Sequence, residues 1–226
     1  NIYSRLGNPT VGALEARLTA LEEGAMCVAL SSGTSAVMYS LINIMSQGDN
    51  FVTANQLYGG TYTMFDNILP EYGINSKKVD ITDLEAVEAA IDEKTRAIYC
   101  ETITNPGLVV ADISALADIA HSKGIPLIVD ATFTTSAILK PFEYGADIVV
   151  YSLTKWMSGH GRVIAGAVIE KGGFDWGNGN FPLYDKPDTS YGGMRWGHDL
   201  GDLGNVAYSL RLRTVPLRNL GANMGP

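Results

Sequence analysis

Cysteine and long apolar runs are both scarce in this sequence of 226 residues. The only cysteines, Cys27 and Cys100, lie in apolar runs typical of strands, so a small buried side chain is favoured over a disulfide or a metal ligand. No stretch approaches the ~20 apolar residues that cross a bilayer, and no basic leader followed by an apolar run opens the chain. These absences predict a soluble, cytoplasmic protein with no metal site and no membrane partner.

Basic residues are also few, with 16 Lys and Arg against 24 Asp and Glu, which gives a formal net charge of -8. None of them falls in a basic run, and this argues against a nucleic-acid partner or an anionic membrane surface. Because 46% of the residues are hydrophobic, the chain has ample apolar surface for a core. A small-molecule partner is therefore favoured.

Both ends of the sequence look cut. It opens on "NIYSRLGNPT" without an initiator Met, and it stops at "LGANMGP" soon after a helix-like stretch that carries arginines. We therefore expect residues 1–226 to form one domain of a longer chain.

Strand-like and helix-like segments alternate along the chain. The predicted strands are "AMCVAL", "NFVTAN", "INSKKVD", "RAIYCE", "PLIVDA", "DIVVYS" and "AGAVIE". The predicted helices are "NPTVGALEARLTALEEG" with Gly24 as its stop, Thr34 to about Ser46, "GTYTMFDNILPEY", "TDLEAVEAAIDE" with a capping box of Thr82 and Glu85, and "DISALADIAHSKG". This alternation predicts an α/β fold with a mostly parallel sheet covered by helices on both faces, and residues 172–193 are expected to be a long loop.

Polar residues follow most of the predicted strands. They lie in the segments 31–34, 55–58, 101–105, 130–132 and 152–155. Ligands of such sheets bind beyond the carboxyl ends of the strands, where helix N-termini also point inward. The sequence therefore predicts a ligand site at this edge.

Three features of this edge point to one cofactor. In "SSGTSA", small residues before a helix can cradle a phosphate, although an ordinary serine cap is the commoner reading of that feature alone. Lys155 could form a Schiff base with an aldehyde, against the alternative of a solvent-exposed lysine, and Asp130 could pair with a protonated ring nitrogen, against the alternative of a turn former. A cradle, a strand-end aspartate and a strand-end lysine together are the three anchors of pyridoxal phosphate.

The sequence also resembles the Cys/Met-metabolism family of pyridoxal-phosphate enzymes, whose fold is that of the type I aminotransferases. The resemblance rests on "YSRLGNPT", "SSGTSA", "LYGGTY", "ETITNP", "IVDATF" and "SLTKWMSGHG", in that order. It implies that residues 1–226 are the cofactor-binding large domain, with an N-terminal segment and a C-terminal small domain missing.

The resemblance assigns roles to individual residues. Lys155 is similar to the Schiff-base lysine, Asp130 to the partner of the ring nitrogen, and Tyr58 to the tyrosine that stacks on the ring and assists proton transfer. The expected phosphate ligands are Ser32, Gly33, Thr34, Ser152 and Thr154. Asn105 is expected near the phenolic oxygen of the ring with Glu101 as its supporting neighbour, and Thr132 against the ring.

Tyr3 and Arg5 resemble a pair that a neighbouring subunit contributes to the phosphate. The resemblance therefore implies a homo-oligomer, a dimer of dimers, whose active sites are built across an interface. Four positions depart from the family pattern, namely Ala131, Ile103, Arg162 and Ala165, and they put details of ring positioning in doubt. His160 fits the pattern, with a structural role favoured over catalysis, and His121 and His198 are expected at the surface.

The stretch "GGFDWGNGNFP" followed by "PDTSYGG" resembles an insertion of the O-acetylhomoserine sulfhydrylases. This resemblance implies γ-replacement on O-acetylhomoserine by sulfide or a thiol. The alternatives are γ-elimination, as in methionine γ-lyase or cystathionine-type enzymes, and an inactive cofactor-binding fragment. The last is motivated by the substrate-carboxylate arginine that the family carries in its C-terminal domain, because no candidate for it precedes Pro226.

Overall fold

A seven-stranded sheet forms the centre of the computed structural model, which describes residues 3–226. The strands are β1 (Met26–Leu30), β2 (Asn50–Ala54), β3 (Asn75–Val79), β4 (Thr95–Glu101), β5 (Leu127–Asp130), β6 (Ile148–Ser152) and β7 (Gly166–Glu170). Their order across the sheet is β1-β7-β6-β5-β4-β2-β3. All seven predicted strands are confirmed, each within one residue or so of its expected bounds.

The sheet is mostly parallel, as predicted. The run from β6 through β5, β4 and β2 to β3 is parallel throughout, whereas β7 is antiparallel to both of its neighbours, β6 and β1. The segment between β6 and β7 holds only a short 3₁₀ helix, Trp156–Ser158, and a parallel connection needs a longer crossover. The chain therefore turns back beside β6.

Helices flank this sheet. They are α1 (Pro9–Glu22), α2 (Gly33–Ile42), α3 (Gly59–Thr63), α4 (Leu84–Ala89), α5 (Ile113–Ser122), α6 (Thr135–Ile138), α7 (Pro182–Asp185), α8 (Ala207–Leu212) and α9 (Arg218–Leu220). The first helix packs on β1, α2 packs on β6 and β7, and α5 packs on β4 and β5. No helix within residues 3–226 is both long enough and apolar enough to cross a membrane.

Several helix ends differ from the predictions. The predicted capping box of Thr82 and Glu85 is wrong, because Asp83 caps α4 by accepting the Ala86 N–H at 3.0 Å while the Thr82 hydroxyl donates to Asp80. The second helix ends at Ile42 rather than near Ser46. Short polar side chains compete for the same N–H groups, and local geometry decides between them.

Residues 172–193 were expected to form a loop, and they contain α7 and one 3₁₀ turn held by an aromatic cluster. Trp176 stacks on Tyr184 and Tyr208 with 5.1 Å between ring centroids in both pairs, and Phe174 and Phe181 pack at its edges. Such pairs each add about 0.5–1.5 kcal/mol beyond the apolar area that they bury. The long segment is therefore anchored by its own aromatic side chains.

A buried carboxylate lies under this cluster. Glu170, at the end of β7, accepts hydrogen bonds from Trp176 Nε1 at 3.3 Å and from the Ser209 N–H at 2.8 Å. Burial raises the pKa of Glu170 to about 7, and the hydrogen bonds oppose that rise. The cluster thus includes a group that titrates near neutral pH.

The C-terminal segment returns to the start of the domain. Arg213 forms an ion pair with Glu15 at 2.8 Å, and the other oxygen of Glu15 accepts the Ala29 N–H of β1. The Tyr39 hydroxyl donates to the carbonyl of Gly221, and the Ser31 N–H donates to that of Ala222. The last residues therefore pack against β1 and α2.

We predict that Glu170→Gln flattens the pH dependence of the free energy of unfolding. A raised carboxyl pKa favours folding below the ordinary value of 4.5, and that contribution is lost as pH rises towards 7. Relative to Glu170→Gln, the native chain should lose on the order of 3 kcal/mol across this window.

Urea unfolding followed by tryptophan fluorescence between pH 4.5 and 7.5 tests this prediction. The exposed Glu71→Gln serves as the matched control and should leave the pH slope unchanged. Equal slopes for the native chain and Glu170→Gln would contradict it.

Candidate active site

The register of three neighbouring strands brings the predicted site residues to one edge. Glu101, the last residue of β4, pairs with Asp130, the last residue of β5. Asp130 in turn pairs with Val150, two residues before the end of β6. The carboxyl ends of β4, β5 and β6 therefore meet, as the rule for parallel sheets requires.

A line of hydrogen bonds joins Asp130 to Lys155. The Thr132 N–H donates to Asp130 Oδ1 at 2.9 Å, and the Thr132 hydroxyl accepts the Ser152 N–H at 2.7 Å. The Lys155 N–H then donates to the carbonyl of Ser152 at 3.2 Å. The predicted lysine and aspartate thus lie on the same side of the molecule.

Asp130 is a carboxylate that has no cationic partner. Within residues 3–226 no Lys, Arg or His forms an ion pair with it. Burial raises the pKa of Asp130, and hydrogen bonds donated by Thr132 and by the Tyr99 hydroxyl oppose the rise. A buried carboxylate is stabilised by a cation, so this position suits a protonated ring nitrogen.

The start of α2 lies against the end of β6. A Cβ added to Gly33 would lie 2.4 Å from Ser152 Cβ and 2.7 Å from Ser152 Oγ. On the other side, a Cβ at Gly166 of β7 would lie 2.0 Å from the carbonyl oxygen of Ser32. Only glycine permits these approaches, which set the first N–H groups of α2 beside the end of β6. The first N–H groups of a helix lack acceptors within it, so those of α2 are suited to cradle a phosphate, as predicted.

The predicted phosphate hydroxyls divide into two groups. The Ser32 hydroxyl caps α2 by accepting the Ser35 N–H at 3.0 Å, as the plain capping alternative predicts. The Thr154 hydroxyl is bonded to the backbone N–H and carbonyl of Ala165. In the second group, Ser152 lies directly beside Gly33, and Thr34 is exposed at the start of α2. Ala165 is one of the positions that depart from the family pattern. Because Thr154 contacts only its backbone, the side chain at position 165 does not affect these two hydrogen bonds.

One carboxylate holds two loops of the site. Glu101 accepts the Tyr58 N–H at 2.8 Å on one oxygen and the Asn105 N–H at 3.1 Å on the other. Burial raises the pKa of Glu101 to about 7, the bond from Tyr58 opposes the rise, and the nearby Asp130 adds to it. The Tyr58 ring itself is 48% exposed and can reach a ligand at the edge.

Lys155 and its neighbours are open to solvent. The Lys155 side chain is exposed and forms no ion pair within residues 3–226, and Trp156 beside it is 68% exposed. The environment is thus that of the solvent-exposed alternative, while the position after β6 is the one that the resemblance predicts for the Schiff-base lysine. A ligand on this edge would desolvate both side chains.

Tyr3 and Arg5 lie together beside the C-terminal segment. The Arg5 guanidinium is 5.0 Å from the centroid of the Tyr3 ring, and it donates to the carbonyl of Arg218. Tyr3 is 57% exposed. Within residues 3–226 these two residues therefore contact each other and the C-terminal segment, and neither forms a hydrogen bond with a strand-end residue of the site.

The other positions that depart from the family pattern and the three histidines add no side-chain hydrogen bond to the site within residues 3–226. Ala131 is buried, Ile103 bridges to Val110, and Arg162 and His160 are exposed. The other two histidines are exposed, as expected, and each has a carboxylate partner: His121 pairs with Asp147 at 2.9 Å, and His198 with Asp185 at 2.8 Å. Neither pair involves a strand-end residue of the site.

Sequence reasoning missed Tyr99, whose buried hydroxyl lies 3.2 Å from Asp130 Oδ2. A signal was available, because Tyr99 stands two residues before Glu101 and so shares its face of the strand. It also missed the buried hydrogen bond between Tyr151 and Glu22, for which the sequence carries no local signal. Within residues 3–226 no group of His, Cys, Asp or Glu side chains is arranged to hold a metal ion.

Comparison with known families decides among the possibilities that this edge allows. The model of the Cys/Met metabolism PLP-dependent enzymes matches residues 1–218. The chain belongs to this family. Its cofactor is pyridoxal phosphate, as the three anchors at the edge predicted.

Individual relatives match along the whole chain. Homocysteine synthase of Schizosaccharomyces pombe is 44% identical and O-acetyl-L-homoserine sulfhydrylase of Leptospira meyeri is 42% identical, each over 100% of this chain and 52% of its own length. A crystal structure of a putative O-acetylhomoserine (thiol)-lyase of Campylobacter jejuni, which contains a pyridoxyl-lysine monophosphate, has a TM-score of 0.94 and 39% identity. The match spans 99% of this chain and 55% of the Campylobacter jejuni chain. The chain thus spans about half the length of the curated relatives that it matches.

The residues at the edge fit this cofactor. The cradle at Gly33 suits a phosphate, Asp130 without a cation suits the protonated ring nitrogen, and Lys155 presents an exposed amine for the aldehyde. These are the residues that would hold pyridoxal phosphate in this family member.

We predict that Gly33→Ala weakens pyridoxal phosphate binding by at least about tenfold, which corresponds to ~1.4 kcal/mol. The added Cβ would lie 2.8 Å from Ser152 Cα, which is a backbone atom of β6 and cannot easily move away. The start of α2 would therefore be displaced from Ser152. A titration of cofactor absorbance measures the effect.

Gly12→Ala is the matched control, because an added Cβ there meets no atom within 4 Å. It should leave cofactor affinity unchanged and stabilise α1 by about 0.5–1 kcal/mol. Equal affinities for both variants would show that the close approach at Gly33 does not shape the cradle.

Proposed function

We propose that the protein to which this chain belongs catalyses γ-replacement on O-acetylhomoserine. Sulfide or a thiol displaces acetate from Cγ, with a Cγ–S bond formed and the Cγ–O bond broken, and the products are homocysteine or methionine together with acetate. The proposal is carried by one observation: relatives named homocysteine synthase and O-acetyl-L-homoserine sulfhydrylase match the chain from end to end. The contact line from Asp130 to Lys155 supports the corresponding chemistry.

The residues of this chain divide the work. When bound, pyridoxal phosphate supplies an aldehyde for the substrate amine and a protonated ring that accepts electron density. Asp130 keeps the ring nitrogen protonated, and the N–H groups of Gly33 and Thr34, with Ser152, bind the phosphate. Lys155 holds the cofactor and, once released, its Nζ removes the proton from the substrate Cα.

Later proton shifts involve Lys155 and Tyr58 and allow acetate to leave from Cγ. Tyr58 is held by Glu101 through its N–H, and its exposed ring would stack on the bound cofactor and assist proton transfer. Asn105, held by the same carboxylate, would lie near the phenolic oxygen of the bound ring, and Thr132 would lie against that ring. In this proposal Ser32 orders the cradle by capping α2, and Thr154 orders the loop after β6.

We also propose a homo-oligomer, a dimer of dimers, in a cytoplasmic setting. Tyr3 and Arg5 would reach the phosphate of a neighbouring subunit, and their pairing at the surface of this chain supports that role. Cys27 and Cys100 are both free and buried, which is compatible with a reducing compartment.

Borohydride reduction with pyridoxal phosphate, followed by peptide mass spectrometry, tests the role of Lys155. We predict a pyridoxyl label on Lys155, its absence in Lys155→Ala, and an unchanged label in Lys186→Ala, which alters an exposed lysine. If the label falls on another lysine, or if Lys155→Ala keeps cofactor-dependent turnover, the assignment of Lys155 is wrong.

A product assay on the full-length protein tests the reaction. We predict homocysteine and acetate from O-acetylhomoserine plus sulfide, in equal amounts and dependent on both substrates. Formation of 2-oxobutyrate from methionine, with no homocysteine in the first assay, would indicate γ-elimination instead.

A further inference from the structure

Tyr99 makes a contact that the proposed roles above do not use. Its side chain is fully buried in β4, and its hydroxyl lies 3.2 Å from Asp130 Oδ2. The other oxygen of Asp130 accepts the Thr132 N–H at 2.9 Å. Each carboxylate oxygen therefore has one donor from the protein, which leaves further acceptor positions for a ligand.

The direction of the Tyr99 hydroxyl is fixed by packing. Its ring meets Phe65 edge to face, with 5.1 Å between centroids and an interplanar angle of 84°. Phe65 meets Phe51 in the same way at 4.7 Å. A tyrosine ring has only two side-chain torsions, so this buried row holds the hydroxyl on Asp130.

We propose that Tyr99 is a positioning residue that holds Asp130 in one orientation and in its ionised form, so that the carboxylate can pair with the protonated ring nitrogen of pyridoxal phosphate. The inference rests on the proposed function, in which Asp130 is the partner of that nitrogen. Thr132 fixes one oxygen and Tyr99 the other, and rotation of the carboxylate would break both bonds.

The surroundings of Asp130 explain why this donor matters. Asp130 acts electrostatically on four titratable groups of the neighbouring strands, and none of them is cationic: Tyr99 and Glu101 of β4 on its own face of the sheet, and Cys100 of β4 and Tyr151 of β6 on the other. Burial raises the pKa of Asp130, and only Thr132 and Tyr99 oppose that rise. Burial also raises the pKa of Tyr99 well above its ordinary value, so the hydroxyl remains a donor.

A double-mutant cycle on cofactor affinity tests the proposal in the full-length protein. Tyr99→Phe should weaken pyridoxal phosphate binding about tenfold, because a hydrogen bond to a charged group is lost. In an Asp130→Asn background the same substitution should cause no further loss. A loss of equal size in both backgrounds would mean that Tyr99 acts only through packing, and the proposal would be overturned.

The pH profile of the affinity gives a second readout. Affinity should fall as Asp130 becomes protonated, and Tyr99→Phe should move this fall to higher pH, whereas 3,5-difluorotyrosine at position 99, a stronger donor in the same ring, should move it to lower pH. Tyr208→Phe removes a hydroxyl bound to the Ser40 carbonyl far from Asp130 and should change neither profile nor affinity.

The outcomes separate the two proposals. Native protein that binds no pyridoxal phosphate would refute the proposed function and this inference with it. Native binding with unchanged affinity and pH profile for both changes at position 99 would refute the role of Tyr99 alone.

Discussion

The carboxylate of Asp130 stands at the end of a strand that is buried on both sides, and the chemistry of the edge depends on the hydrogen bonds that keep it there. Its backbone is fixed by the parallel ladders to β4 and β6, including the Ala131 N–H to the Val150 carbonyl at 3.0 Å. Its oxygens are fixed by Thr132 and Tyr99. A carboxylate that is largely withdrawn from water is costly unless a cation joins it, so this edge presents an acceptor that a protonated ring nitrogen would complete.

Much of the architecture could be predicted because it follows from patterns that each segment carries by itself. Apolar runs of strand length and helical periodicity mark the elements, and the parallel-sheet rule then brings Asp130, Ser152 and Glu101 to one edge without further information. The antiparallel direction of β7 could also have been inferred from the sequence. The 13 residues from Leu153 to Ala165 lack helical periodicity, and a parallel connection usually needs a crossover helix.

Contacts between distant residues could not be predicted in the same way. Nothing near Thr154 shows that its hydroxyl is bonded to the backbone of Ala165, 11 residues further along the chain. The choice of Asp83 over Thr82 as a cap depends on angles that composition does not encode. Roles for Tyr58 and Asn105 came from resemblance to a family, and their shared tether on Glu101 is visible only in three dimensions.

The return of the C-terminal segment to β1 and α2 has a consequence for synthesis on the ribosome. The Tyr39 hydroxyl can form its hydrogen bond only after Gly221, 182 positions further along the chain, has been synthesised, and the Ser31 N–H likewise requires Ala222. At ~5–20 residues per second, that delay is roughly 10 to 40 s. The helix that begins the phosphate cradle thus gains these neighbours long after it has itself been translated, and a nascent chain exposes that apolar surface to chaperones and proteases in the meantime.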